Sequence, residues 1–226
     1  MKRHLLLWAS LALLAASQGA GAQMMNNTGG GAGDWEFRLG PVFNESKDIK
    51  FDGGSTANLK SDTGFKFGAG YYVTDHLIVG GNFGWARSDF NGTVRGTNGA
   101  SSFENGRVDL STLMFDATYT LLEGPIKPFG VVGLGWNWAS TNIASGPPQT
   151  GCWWDPWWGY ICSGYQPTKG STSFAYQVGA GVQFNFSRAF AVTADYRYTV
   201  IDLDNASSKP GISSIGLMFV WRTGHY

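Results

Sequence analysis

The chain has 226 residues, with 16 basic and 16 acidic side chains, 14% charged and 15% aromatic residues, and 33 glycines. Soluble domains carry roughly 25% charged residues, and the lack of a basic face excludes a nucleic-acid partner. A chain poor in charge, rich in aromatics and glycine, and without a long apolar run points to strands, not helices, as the elements that meet a membrane.

The first 22 residues, MKRHLLLWASLALLAASQGAGA, place Lys2 and Arg3 before an apolar stretch from Leu5 to Ala16 and close on Ala20-Gly21-Ala22. That order predicts a cleaved secretory signal over 1–22, and the apolar stretch is too short to span hydrocarbon as a helix. Loss of Lys2 and Arg3 leaves 14 bases against 16 acids, a formal charge of −2. Export also carries Cys152 and Cys162 into an oxidising compartment. Residues 23–33 read as a flexible N-terminal segment.

From residue 34 the side chains alternate. WEFRLGPVF sets Trp35, Phe37, Leu39 and Phe43 against Glu36 and Arg38. GFKFGAGYYV sets Phe65, Phe67, Ala69, Tyr71 and Val73 against Lys66, Gly68, Gly70 and Tyr72. HLIVGGNFGWA gives Leu77, Val79, Phe83 and Trp85 opposite Asn82, and TLMFDATYTL gives Leu113, Phe115, Ala117, Tyr119 and Leu121 opposite Thr112, Asp116 and Thr118. KPFGVVGLGWNW sets Val132, Leu134, Trp136 and Trp138 against Gly133, Gly135 and Asn137. FAYQVGAGVQFNF follows with Phe174, Tyr176, Val178, Val182, Phe184 and Phe186 opposite Gln177, Gly179, Gly181, Gln183 and Asn185. FAVTADYRYTV places Tyr196 and Tyr198 opposite Asp195 and Arg197, and SIGLMFVW places Ile215, Leu217, Phe219 and Trp221 opposite Ser214, Gly216 and Met218.

Period-two alternation puts each set on its own face of a strand. Eight such segments, each about nine to eleven residues long, suit tilted strands crossing hydrocarbon. Tight connections at Thr74-Asp75-His76, Glu123-Gly124-Pro125 and Ser187-Arg188 alternate with long loops near 47–63, 88–108, 140–172 and 203–212. A soluble β-sandwich or lipocalin-type barrel alternates as well. Three features favour the membrane: apolar faces that begin or end in aromatics, a sparse glycine-rich polar face, and short turns on one side with long loops on the other. The expected fold is all-β, an eight-stranded antiparallel up-and-down transmembrane β-barrel over 34–221, with 222–226 as a C-terminal tail.

Eight strands enclose a lumen just wide enough for side chains to fill. The inward set places Glu36, Asp116 and Asp195 against Arg38, Lys66 and Arg197, an expected lumen charge network of three acids and three bases. Such a network can hold the lumen shut. The inward glycines leave volume for water, so a gated conductance stays open as an alternative.

CWWDPWWGYIC, Cys152 to Cys162, falls in the third long loop. Asp155-Pro156 favours a turn that brings the cysteines together, and a disulfide there stabilises by about 2 to 3 kcal/mol. Trp153, Trp154, Trp157, Trp158 and Tyr160 have two readings. One is anchoring at the headgroup level; the other is a recognition knob of rigid aromatics.

KPFGVVGLGW resembles the fifth strand of OmpA-like and opacity-type small outer-membrane barrels, and SFAYQVGAGVQFNFSRAFAVTADYRYTV resembles their sixth-to-seventh hairpin. SIGLMFVW is similar to the family's barrel-assembly signal through Ser214, Gly216, Phe219 and Trp221. That signal normally ends the chain, whereas Arg222 to Tyr226 follow here; these residues either fray at the periplasmic rim or extend the signal to Tyr226. The resemblance covers the mature chain and implies residence in the outer membrane. It also implies contact with outer-membrane lipid and lipopolysaccharide, and delivery by periplasmic chaperones and the barrel-assembly machinery as a monomer. It specifies architecture more than activity.

Some outer-membrane barrels modify lipid A with a histidine, but His4 leaves with the signal, His76 lies in a turn and His225 in the tail. No nucleophile–base pair is in view. Two cysteines ten positions apart without a nearby histidine match no zinc spacing. No catalytic, metal or cofactor site is expected. The reading is a non-enzymatic barrel with a structural and surface-contact role in the bacterial envelope. Its alternatives are a narrow porin-like channel for small or apolar solutes and a loop-mediated adhesin.

Overall fold

The computed structural model describes residues 30–50, 54–96, 99–202 and 209–223, with backbone only for 94–96 and 99–105. The expected signal sequence, most of segment 23–33, and residues 224–226 lie outside the described residues. Within 30–33, Gly33 N donates to Tyr72 O at 2.9 Å and Ala32 N to Asp75 Oδ1 at 2.9 Å, which ties this end of the chain to a turn.

Among the described residues twelve strands follow in order: β1 (Trp35–Asn44), β2 (Lys47–Lys50), β3 (Thr56–Leu59), β4 (Asp62–Tyr72), β5 (Leu77–Gly96), β6 (Gly99–Thr120), β7 (Ile126–Ala144), β8 (Gln149–Asp155), β9 (Gly159–Tyr165), β10 (Thr168–Asn185), β11 (Phe190–Asp202) and β12 (Gly211–Thr223). Eight of them close a ring, β1-β4-β5-β6-β7-β10-β11-β12, with every neighbour antiparallel. The seam lies between β1 and β12, where Trp35 faces Thr223, Phe37 faces Trp221 and Asn44 faces Ser214. Closure is what hydrocarbon demands, because each strand N–H and C=O must find its partner on another strand. Pro41 carries no N–H, and the β1–β12 pairing is interrupted at Gly40-Pro41 and resumes at Val42.

The side chains sort by parity into an inverted protein. Phe65 is 60% exposed on the outer wall while Glu36 is fully buried inside it. In water such an arrangement exposes far too much apolar surface; against acyl chains it is the favourable one. Aromatic pairs mark the belts. Trp35–Tyr71 and Phe37–Trp221, with ring centroids 5.4 and 5.5 Å apart, lie at the short-turn end, and Trp136–Phe174, at 6.3 Å, lies toward the other end.

Two sequence expectations change. Segments 88–108 and 140–172, read as loops from their Gly, Ser, Asn and Thr content, are largely paired. β5 and β6 continue together to Gly96 and Gly99, braced by Arg87–Asp109 at 2.5 Å and Arg107–Asp89 at 3.9 Å. β7 and β10 likewise extend to Ala144 and Thr168 and carry the separate β8–β9 hairpin between them. Cross-strand charge pairs and backbone ladders outweigh weak β-propensity here. The expected tail, 222–226, also loses two residues to the wall, since β12 runs through Thr223.

Candidate functional site

The lumen holds two polar clusters built from inward-facing positions of the strands. At mid-barrel, Arg197 of β11 donates through Nη1 to Asp116 Oδ2 at 2.9 Å and through Nε to Asp195 Oδ1 at 3.0 Å. Asn82 of β5 and Gln177 of β10 donate their amide N–H groups to the same Asp116 carboxylate. Asp116 lies on β6, so β5, β6, β10 and β11 are joined through one carboxylate, and Arg197 crosses the interior. Gly133 of β7 lies between Asp116 and Gln177, where a Cβ would run into the Asp116 carboxylate. Only glycine leaves that space.

Toward the short turns lies the second cluster. Glu36 of β1 accepts from Arg38 Nε at 2.5 Å, Tyr72 Oη at 2.7 Å and Arg222 Nε at 2.8 Å. Arg222 also donates to Asn185 Oδ1 at 2.8 Å and to the Arg188 carbonyl at 3.3 Å. A buried carboxylate with three donors is well satisfied, which is the condition for tolerating charge there.

Of the six lumen charges expected from sequence, five meet in direct ion pairs: Glu36, Arg38, Asp116, Asp195 and Arg197. Lys66 belongs to neither group of contacts. It borders a cavity of about 90 Å³ on the loop side, with Val42, Leu110 and Met114, and another of about 30 Å³ beside Arg38, Asp116 and Arg197. Sequence reasoning missed Arg222 and Lys127, and it placed Tyr72 on the inner face without its bond to Glu36; all three are buried. Parity offered a clue to Arg222, since Ser214, Gly216, Met218 and Val220 lead to it on the inner face.

The four residues of the expected assembly signal divide by face. Ser214 is buried inside and Gly216 lies against Asp195. Phe219 and Trp221 point outward, against Phe190 at 5.7 Å and Phe37 at 5.5 Å.

Cys152 and Cys162 face each other across β8 and β9 and form a disulfide. Asp155 Oδ1 accepts from the backbone N–H groups of Trp157 at 2.8 Å and Trp158 at 3.0 Å, and Gly159 takes φ +75° to close the turn. Trp157 is 90% and Trp158 81% exposed, and Trp153, Trp154 and Tyr160 are exposed too. A rigid hairpin thus presents five aromatic rings outward.

His76 sits at the short-turn end, its Nδ1 3.1 Å from Thr120 O and its Nε2 3.5 Å from Glu123. Among the described residues no three His, Cys, Asp or Glu side chains group as a metal site.

Residues 6–222 match the outer membrane protein beta-barrel domain family. Comparison with curated proteins finds no match. Among solved structures, the chain is similar to OprG from Pseudomonas aeruginosa, at 18% identity and TM-score 0.52, covering 88% of this chain and all of that one. It is similar to Neisserial surface protein A at 17% identity and TM-score 0.51, covering 87% and 99%. The attachment invasion locus protein Ail of Yersinia pestis gives 21% identity and TM-score 0.48, covering 85% and 99%.

Proposed function

This chain belongs to the outer membrane protein beta-barrel domain family, and from that premise we propose that it acts without catalysis, as a closed barrel that carries a rigid aromatic hairpin for contact at the cell surface. One observation carries the reading: the most exposed rings of the described chain, Trp157 and Trp158, stand at the tip of a disulfide-clamped hairpin. Indole is costly to leave in water, and a clamp that holds it there favours contact with something beyond the barrel. The lumen supports the same reading, because Arg197, Asp116 and Asp195 fill its middle with paired charge. His76 is held at the short-turn end against a backbone carbonyl, away from any hydroxyl nucleophile on the loop side. Glu36, Arg38, Asp116, Asp195 and Arg197, with Arg222, act as structural ties, and Lys66 completes the charge balance of the lumen beside its cavities. Ser214, Gly216, Phe219 and Trp221 serve as the assembly signal by which the barrel-assembly machinery receives a monomer from periplasmic chaperones, and lipopolysaccharide surrounds the finished outer wall. Surface binding by cells displaying the wild type, lost on replacing residues 149–165 by a short Gly-Ser turn, tests the proposal.

A second reading, a narrow pathway for small solutes, rests on the two cavities that Lys66 borders. Current across a planar bilayer separates it from the first.

A further inference from the structure

We propose that the β8–β9 hairpin is a probe for a lipid bilayer facing the cell, its tip entering the headgroup layer of that second membrane. This rests on the surface-contact reading above and names the surface.

The arrangement of rings selects a lipid. Strand alternation puts Trp153 on one face of the hairpin, across from Ile161, and Trp154 on the other, across from Tyr160. Trp157 and Trp158 cap the end. Stacking on a sugar needs rings gathered on one face to form a platform. Rings on both faces and around the tip match a medium that surrounds the hairpin, and indole settles at the boundary between headgroups and acyl chains.

Charge narrows the choice. Between 145 and 168 the sole charged residue is Asp155, and its Oδ1 is engaged by two backbone N–H groups of the turn. With no lysine or arginine, the hairpin has nothing to draw it to phosphate-rich lipopolysaccharide or to an anionic polysaccharide. A neutral, zwitterionic phospholipid surface fits.

Reach makes the facing membrane the occupant. Ser140 of β7 still pairs with the barrel strands β6 and β10, and from there to Asp155 the chain can extend up to about 50 Å at strand rise. Ser145 N donates to Pro167 O at 2.8 Å, continuing the β7–β10 ladder toward the hairpin. Among the described residues, no ring contact joins the hairpin to the barrel wall, and β8 pairs with β9 alone.

The test places the full-length mature protein in phospholipid nanodiscs and adds phosphatidylcholine vesicles. Brominated lipid is put either in the disc or in the added vesicles. The emission of the hairpin is read as the difference between wild type and W153F/W154F/W157F/W158F, with heat-modified gel migration showing that both barrels are closed. The expected result is quenching by brominated lipid in the added vesicles at least about twofold stronger than by brominated lipid in the disc. It should be the same at low and high salt, with vesicle co-flotation lost in the variant. Quenching from the disc alone would overturn the proposal, since the hairpin would then anchor in its own leaflet. Capture only by vesicles bearing glycolipid, or by glycan-coated beads, would overturn it while leaving the surface-contact reading in place. Contact with none of these surfaces would overturn both.

Discussion

Arg222 Nε stands 2.8 Å from Glu36 Oε2, and the two residues face each other across the β1–β12 seam although 186 positions separate them in the chain. The last strand is thereby bonded to the first by a side chain as well as by its backbone ladder. Both groups are buried, with relative side-chain exposures of 1% and 0%.

Removing Arg222 should therefore weaken closure. Arg222→Ala leaves Glu36 with Arg38 and Tyr72, takes one donor from Asn185 Oδ1, which keeps Gln183 Nε2, and takes the guanidinium donor from the Arg188 carbonyl. Leaving a buried charge without any partner costs about 3 to 5 kcal/mol, and because Arg38 still faces Glu36 the expected loss here is smaller, about 1 to 3 kcal/mol. Deleting 222–226, which the sequence expectation of a loose tail would tolerate, should do at least as much damage. Urea unfolding of the refolded protein, followed by gel migration, measures both; an unchanged midpoint would show the seam to be held by the backbone alone.

Arg197→Ala should destabilise the middle of the barrel. Asp116 and Asp195 would lose the guanidinium that both are bonded to. The expected loss is about 3 to 5 kcal/mol, read as a lower urea midpoint. Changing Asp116 to Asn in the same background should recover part of it, because one of the two stranded charges disappears.

Gly133→Ala tests the packing around Asp116. The added methyl would overlap the carboxylate and lie 3.0 Å from Gln177 Nε2. Overpacking of this kind costs about 1 to 3 kcal/mol. Gly130→Ala is the control, since nothing lies within 4 Å of its would-be Cβ. Equal unfolding midpoints for the two variants would refute the geometry described for the lumen.

Cys152→Ser should loosen the hairpin and spare the barrel. β8 and β9 form a sheet of their own and contribute no strand to the closed ring. Proteolysis between 149 and 165 should quicken, while the unfolding midpoint of the barrel stays where it is. A lower barrel midpoint would mean the hairpin braces the wall.

Much of this architecture is legible in residue order because a membrane barrel imposes a strict two-residue period. Phe65 and Phe67 outward with Lys66 inward, or Tyr196 outward with Asp195 and Arg197 inward, can be read without coordinates. What parity cannot supply is the partner. Nothing local tells Arg222 that Glu36 will face it, and an expected barrel boundary at Trp221 falls two residues short of the end of β12. Lys66 shares its inward face with the network, yet its ammonium has no ion-pair partner among the described residues, a matter of depth and reach that alternation does not encode. The long hairpins were hidden for a different reason: Gly and Asn are poor strand formers alone, and cross-strand pairs such as Arg87–Asp109 become visible only once the register is known.

Planar-bilayer recording of the refolded protein tests most directly whether the charge pairs at mid-barrel close the lumen. Wild type should give no steady conductance steps, and Arg197→Ala should give small ones wherever it remains folded, since Arg197 is the side chain that crosses between Asp116 and Asp195. Steady steps from the wild type, unchanged in Arg197→Ala, would contradict the account.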